Sequence, residues 1–295
     1  MARRVAYQAA AVVGAAIALA GCGFGFFGYE QRAAWRDQEE RACMSSRPPV
    51  VFSAWVQPQR AIDGRGACGI LYPLKVSALE DGSIRVGPSA MLGCPMTTML
   101  EDWFRNAVQP AAIAWFGAPV VQIKQLSNYS CRSIDSIPGK QLSEHAFGNA
   151  IDIAAFTFAN GREVTVKRGW NGGDPVEQGF LREVEATACE TFKTTLGPGE
   201  PYHGDHFHLD LAHHGKSGER SYCNPKPQVQ PPQRQPYGGG LFARSNVDWM
   251  RTGSVAPAGA PLDTRPDDVV RDETDSSGVS GFNGALTAPP AFTAN

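Results

Sequence analysis

The chain has 295 residues, a formal net charge of −2 and a hydrophobic fraction of 42%, with six tryptophans. A chain of this charge presents no strong attraction for phosphate backbones, so nucleic acid is excluded as an expected partner. The apolar residues suffice for a substantial core, but the composition is uneven, which favours one compact domain over two.

The first 29 residues are predicted to be a secretory signal peptide or a membrane anchor. Arg3 and Arg4 precede a run from residue 5 to 29 in which Gln8 is the only strongly polar residue. Within it, the tetrapeptide Leu-Ala-Gly-Cys that ends at Cys22 resembles a bacterial lipobox, whose cysteine is lipidated and becomes the new N-terminus. An uncleaved signal-anchor helix is an equal alternative, because the apolar run continues beyond Cys22. Both interpretations predict a periplasmic protein, anchored to the cell membrane or, as a lipoprotein, to the outer membrane.

The remaining chain divides into three parts by composition. Residues 30–60 are polar and mixed, which predicts a short helix or tether that leads away from the membrane. Residues 61–225 contain apolar segments separated by turn signals and are predicted to be the folded domain. Residues 226–295 are rich in Pro, Gly, Ser and Asp and are predicted to be a disordered tail, because they cannot bury enough apolar surface to offset their chain entropy.

Helical and strand patterns are interspersed within the domain. Residues 97–116 repeat apolar side chains with a helical period, and residues 180–197 also have a helical pattern. Strands are predicted at residues 120–126, 150–158 and 206–211. Because these elements do not follow βαβ spacing, we expect an α+β fold with a small, mostly antiparallel sheet and flanking helices.

Six cysteines remain when the predicted signal segment is set aside, and an exported protein can pair them as three disulfides. Their spacings include no C-x-x-C pair, which argues against a thiolate zinc site or a thioredoxin-like motif. An oxidising compartment is therefore predicted, with buried free thiols as the alternative. Fifteen pairings are open among Cys43, Cys68, Cys94, Cys131, Cys189 and Cys223.

The histidines of the chain indicate a metal site. All six lie between positions 145 and 214, mainly in the segments SEHAFGNAID and HGDHFHLDL. On a strand, His206 and His208 share one face, so one can bind a metal while the other reaches the water beside it. Asp152 would face away from its apolar neighbours, and Gly148 would let the chain bend between His145 and Asp152. Two histidines and one carboxylate leave a tetrahedral zinc with one open position, which is the catalytic pattern.

Both segments resemble known zinc peptidases. SEHAFGNAID resembles the S-x-H-x-x-G-x-A-x-D signature of D-alanyl-D-alanine carboxypeptidases and related dipeptidases, and HFH is similar to their H-x-H. This resemblance implies a core of the hedgehog and D-Ala-D-Ala peptidase type, with His145, Asp152 and His208 as zinc ligands and His206 as the catalytic histidine. The spacing H-x-x-H-x-H is similar to that of penicillin-insensitive murein endopeptidases, which implies that His203 contacts the substrate or transition state.

From about Cys68 to Ala212 the chain most resembles the extensin-like C-terminal domain family of alphaproteobacteria, through segments such as YSCR, LSEHAFGNAIDI and DHFHLDLA. The segment that ends at Arg132 also resembles G-Y-R-S of the carboxypeptidases, whose arginine holds a substrate carboxylate or oxyanion. These resemblances imply a zinc-dependent hydrolase of peptide bonds in peptidoglycan. The alternative is a cell-wall-binding or structural module that keeps the zinc site without turnover.

Four further polar residues near the motifs have simpler expected roles. His213 and His214 follow the second motif in a turn and are expected to be solvated. Glu144 is expected to be a surface carboxylate. Asp210 is expected either to orient His208 through its second ring nitrogen or to be a plain surface residue.

Overall fold

The computed structural model describes residues 31–46 and 52–237, so the predicted signal or anchor segment lies outside the described residues. Within these ranges, no helix combines the length and the apolar character needed to cross a bilayer. The helices are α1 (Ala34–Ser45), α2 (Cys94–Trp103), α3 (Gln109–Phe116), α4 (Val166–Gly169) and α5 (Pro175–Thr191). The strands are β1 (Val56–Pro58), β2 (Ile62–Asp63), β3 (Gly69–Ile70), β4 (Leu74–Leu79), β5 (Ile84–Leu92), β6 (Val120–Ser127), β7 (Ala150–Phe158), β8 (Glu163–Thr165), β9 (Thr194–Leu196), β10 (Phe207–Asp210) and β11 (Tyr222–Asn224).

The described residues form an α+β domain, as predicted, around one large sheet. Nine strands pair in the order β1-β4-β5-β6-β7-β10-β9-β11, with β8 also on β7, while β2 and β3 form a separate ribbon. The prediction of a small, mostly antiparallel sheet is wrong: the sheet is mixed, because β5 pairs with β6 and β9 pairs with β11 in parallel. Helices α2 and α3 carry the chain from the end of β5 back to the start of β6, a long crossover that makes these two strands parallel.

The helix predicted over residues 97–116 is confirmed, although it is not uniform. Helices α2 and α3 follow one another through a π-helical turn (Phe104–Val108), and Pro110 lies in the first turn of α3. Proline cannot donate a hydrogen bond to the preceding turn, and a local widening of the helix accommodates this. The left-handed Gly117 ends α3 and leads into β6.

The core lies between the helices and one face of the sheet. Phe156 and Phe158 of β7 meet Phe180 of α5 with ring centroids 5.4 and 5.2 Å apart. In β10, Phe207 and Leu209 are fully buried in this core. The alternation of a strand places His208 and Asp210 on the opposite face of the sheet, where a cleft lies.

Three disulfides cross-link the domain and confirm that the six cysteines pair. They join Cys43 to Cys94, Cys68 to Cys131, and Cys189 to Cys223. The bonds indicate an oxidising, extracytoplasmic location.

Helix α1 lies in the segment that the sequence predicts to be a tether. It is bonded to the start of α2 through Cys43, and the buried carboxylate of Glu40 accepts hydrogen bonds from the backbone N–H groups of Leu71 and Tyr72. This helix therefore belongs to the folded domain.

At the other end, residues 226–237 continue along the domain surface, where Arg234 forms two hydrogen bonds with the buried carboxylate of Glu183. Most of the tail predicted over residues 226–295, from residue 238 onward, lies outside the described residues.

Candidate metal site

A short 3₁₀ turn (Glu144–Phe147) carries His145 into the interior. The Ser143 hydroxyl caps the turn by accepting the His145 N–H, and Gly148 ends it with a φ of 64°. Glycine adopts such a positive φ without strain, as expected for the bend between His145 and Asp152. A Cβ on Gly148 would in addition lie 2.2 Å from the side chain of Ile70. The chain then enters β7, and the His145 side chain is fully buried beside this strand.

The pairing of β7 with β10 brings the second motif to the first. The strands are antiparallel, and His208 lies directly opposite Asp152. Because directly opposed residues point to the same face of a sheet, both side chains enter the cleft. The register is enforced by the core on the other face, since a slip of one residue would exchange His208 with the buried Phe207.

His145, Asp152 and His208 converge on one point. The Nε2 atom of His145 lies 3.2 Å from Asp152 Oδ1 and 3.2 Å from His208 Nδ1, which in turn lies 2.9 Å from Asp152 Oδ1. A tetrahedral ion with bonds of about 2.0–2.1 Å separates its ligand atoms by about 3.3 Å. These three side chains could therefore hold one metal ion with little movement.

The outer nitrogen of each ligand imidazole is engaged by a fixed acceptor. His145 Nδ1 lies 2.8 Å from the carbonyl oxygen of Asn128, and His208 Nε2 lies 2.9 Å from Asp210 Oδ2. An N–H that donates to these oxygens leaves the inner nitrogens, His145 Nε2 and His208 Nδ1, free to bind a cation. Of the two expectations for Asp210, orientation of His208 is the one that the structure supports.

The electrostatics of the cluster favour a bound positive charge. Burial acts to raise the pKa of Asp152, but hydrogen bonds with His145 and His208 hold this pKa well below its usual range. Burial likewise acts to lower the pKa of His208, but its hydrogen bonds with Asp152 and Asp210 raise the pKa to about 10. Either a proton on His208 or a divalent cation can supply this charge, so the cation competes with the proton.

The predicted catalytic residues His206 and Arg132 lie beside this cluster. His206 Nε2 is 3.6 Å from Asp152 Oδ1, and its Nδ1 is 2.8 Å from Asp205 Oδ1. Among the described residues, His206 lies outside the group that could share one ion. The guanidinium of Arg132 approaches the other carboxylate oxygen of Asp152 at 3.9 Å and is partly exposed.

His203 completes the set of predicted site residues. Its ring centroid is 5.1 Å from that of His206 and 5.7 Å from that of His208, and burial lowers its pKa. Its Nδ1 lies 2.7 Å from the carbonyl oxygen of Pro201. All six predicted residues thus line one cleft of ≈ 610 Å³.

Helix α1 forms a wall of this cleft, which the sequence did not indicate. Arg36 forms an ion pair with Glu144, at 2.5 and 2.6 Å, so Glu144 is not a plain surface carboxylate. His213 is not simply solvated either: its ring stacks on Trp35 at 3.7 Å, and its Nε2 bonds to Glu39 at 2.8 Å. These partners are far apart in the chain, so no local pattern could have revealed them.

The fold and the site define an α+β domain, cross-linked by disulfides, with a buried cluster of two histidines and one aspartate that could hold a metal ion. The family model described as the extensin-like protein C-terminus matches residues 41–224, so the chain belongs to this family. The match begins within the last turns of α1 and includes all three disulfides. No curated protein and no solved structure matches the chain significantly.

Proposed function

We propose that this protein is a zinc-dependent hydrolase of peptide bonds in peptidoglycan. The observation that carries the proposal is the convergence of His145, Asp152 and His208, with ligand atoms 2.9–3.2 Å apart, beside two further histidines and an arginine in one cleft. The resemblance of both sequence motifs to zinc peptidases of the cell wall supplies the reaction and the substrate class.

The donor set suits zinc and a catalytic role. Zinc binds both imidazole nitrogen and carboxylate oxygen, and three protein ligands leave a fourth position open. A zinc ion held there would supply a Lewis acid that polarises a peptide carbonyl and activates water. The other residues of the cleft would orient the substrate and move protons.

His206 is the proposed proton carrier. Because its Nδ1–H donates to Asp205, its Nε2 presents a lone pair towards the cluster. This nitrogen can take a proton from the attacking water and return it to the leaving amine. Arg132 and His203 are proposed to hold the substrate. The partly exposed guanidinium of Arg132 can bind a substrate carboxylate or the developing oxyanion, and the imidazole of His203, next to His206, can contact the neighbouring part of the substrate.

The proposed location is the periplasm. The three disulfides support an extracytoplasmic compartment. Attachment to the membrane is proposed from the sequence, through either an N-terminal helix or a lipidated Cys22.

Purified muropeptides test the proposed reaction. We expect the zinc-loaded protein to release a peptide or amino-acid fragment, and we expect His206→Ala to abolish this release while zinc content is retained. The two measurements together separate loss of chemistry from loss of the metal. If His206→Ala releases fragments at the wild-type rate, the assigned mechanism is wrong.

A second candidate is a non-catalytic wall-binding or structural module that retains the metal. The deep burial of the ligands, which are between 0% and 7% exposed, favours this alternative because structural metal sites are shielded from solvent. Zinc at about one ion per chain without fragment release, together with binding to intact murein sacculi, would support it.

A further inference from the structure

A hydrogen-bonded chain continues from the metal cluster to the rim of the cleft. His208 contacts Asp210 through Nε2 at 2.9 Å, and Asp210 lies directly opposite Thr194 of β9, so both side chains are on the same face of the sheet. The Thr194 hydroxyl in turn lies 2.8 Å from His214 Nε2. The Ala212 N–H donates to the second oxygen of Asp210 at 2.9 Å.

The chemistry of these groups fixes the direction of every bond in the chain. A carboxylate only accepts hydrogen bonds, so the His208 Nε2–H donates to Asp210, and the Thr194 hydroxyl can only act as a donor towards this neighbouring carboxylate. The single hydroxyl proton of Thr194 is then used, and His214 must donate its Nε2–H to the hydroxyl oxygen. With its Nε2–H committed to Asp210, His208 presents only Nδ1 to the cluster.

Each member of the chain is held in place by the backbone around it. Asp210 and Thr194 are buried partners in adjacent strands, 5% and 6% exposed. His214 is in a loop, but it forms a β-bridge with Glu219 and its ring lies near that of Tyr222. The loop after β10 thus returns His214 to the sheet, where it can fix the rotamer of Thr194.

From this chain we infer that His214 and Thr194 are positioning residues for the metal ligand His208. His214 would orient the Thr194 hydroxyl, which orients Asp210, and Asp210 fixes the ring of His208. The inference rests on the metal-binding part of the proposed function, and it assigns to His214 a role that does not depend on hydrolysis. Outer partners of this kind contribute about 10–100-fold to metal affinity.

Zinc affinity of the full chain, measured by competition with a chromophoric chelator, tests this inference. We expect His214→Ala to weaken Zn²⁺ binding about tenfold and to shift the visible absorption bands of the Co²⁺-substituted protein, which report ligand geometry. Gln places a side-chain N–H₂ near the position of Nε2, so His214→Gln should recover most of the affinity. Thr194→Val, which replaces the hydroxyl with a methyl group, should weaken Zn²⁺ binding as much as His214→Ala does. The double variant of both substitutions should bind Zn²⁺ no more weakly than either single variant.

His213 provides the matched control, because it is the neighbouring histidine of the same loop and contacts α1 instead of Thr194. We expect His213→Ala to retain the Zn²⁺ affinity and the Co²⁺ spectrum of the wild type. Equal effects of His213→Ala and His214→Ala, or a His214→Ala protein with unchanged affinity and spectrum, would overturn the inference.

The outcomes also separate this inference from the proposed hydrolase. A tenfold loss of affinity in His214→Ala, in a protein that cleaves no muropeptide, supports the positioning role while the hydrolase proposal fails. Muropeptide cleavage with unchanged metal affinity in His214→Ala supports the hydrolase and overturns the positioning role. A wild-type chain that binds no Zn²⁺ overturns the positioning role as well.

Discussion

Gly148 offers the most controlled perturbation of the candidate site. It ends the turn that carries His145 and precedes the strand that carries Asp152, with φ at 64°. Gly117, at the end of α3, has the same φ of 64°, but a Cβ there would meet nothing within 4 Å. Replacement of each glycine by alanine therefore separates backbone strain from a steric clash.

The expected magnitudes follow from these two environments. Alanine in the left-handed region costs about 1–2 kcal/mol at either position. At Gly148 the new Cβ would also lie 2.2 and 2.8 Å from side-chain atoms of Ile70, which is buried in the domain and 1% exposed. Overpacking of this kind costs about 1–3 kcal/mol more. We therefore expect Gly148→Ala to destabilise the fold by about 2–5 kcal/mol and Gly117→Ala by about 1–2 kcal/mol.

Urea denaturation of both variants, with the disulfides intact, measures these differences in the free energy of unfolding. The same clash should displace the turn and move His145 relative to Asp152, so Gly148→Ala should also weaken Zn²⁺ binding, whereas Gly117→Ala should not. Equal stability losses in the two variants, or unchanged metal affinity in Gly148→Ala, would refute the reasoning.

Two further predictions concern buried charges. The Arg36 and Glu144 side chains form an ion pair and are only 11% and 10% exposed. Arg36→Ala should therefore lower the free energy of unfolding by about 3 kcal/mol, because it leaves a buried carboxylate without its partner. A double-mutant cycle with Glu144→Ala, measured by urea denaturation, should give a coupling above about 1 kcal/mol, and additive effects would contradict this. Burial raises the pKa of Glu185 from 4.5 to about 7, although the nearby charge of Arg182 acts to lower this pKa. The fold therefore favours the protonated carboxyl. The stability that this preference contributes is complete below pH 4.5 and is lost as the pH rises through 7. Glu185→Gln should therefore gain about 1–3 kcal/mol relative to wild type between about pH 5 and pH 8.5 in urea melts, and a pH-independent difference would refute the assignment.

The sequence was sufficient to predict the parts of the site that depend on local spacing. His145 and Asp152 are seven residues apart around an obligatory glycine, and the alternation of β10 separates His208 from its apolar neighbours. Strand periodicity and turn chemistry act over a few residues, so these features appear directly in the pattern. The pairing of β7 with β10 could then be inferred only from the shared metal chemistry of the two motifs.

What could not be predicted depends on contacts between distant segments. The ion pair of Arg36 with Glu144 spans 108 residues, and the residues of α1 carry no signal that they form a wall of the cleft. The parallel pairing of β5 with β6 follows from where the α2–α3 crossover packs, which composition does not specify. The choice of one disulfide pairing among fifteen is a result of the same three-dimensional packing.

The zinc content of the purified full chain tests the central claim most directly. After removal of metal with a chelator and reloading with Zn²⁺, elemental analysis should give about one ion per chain, and Asp152→Ala should lose it while retaining its three disulfides. A wild-type chain that folds, keeps those disulfides and retains no zinc would contradict the account.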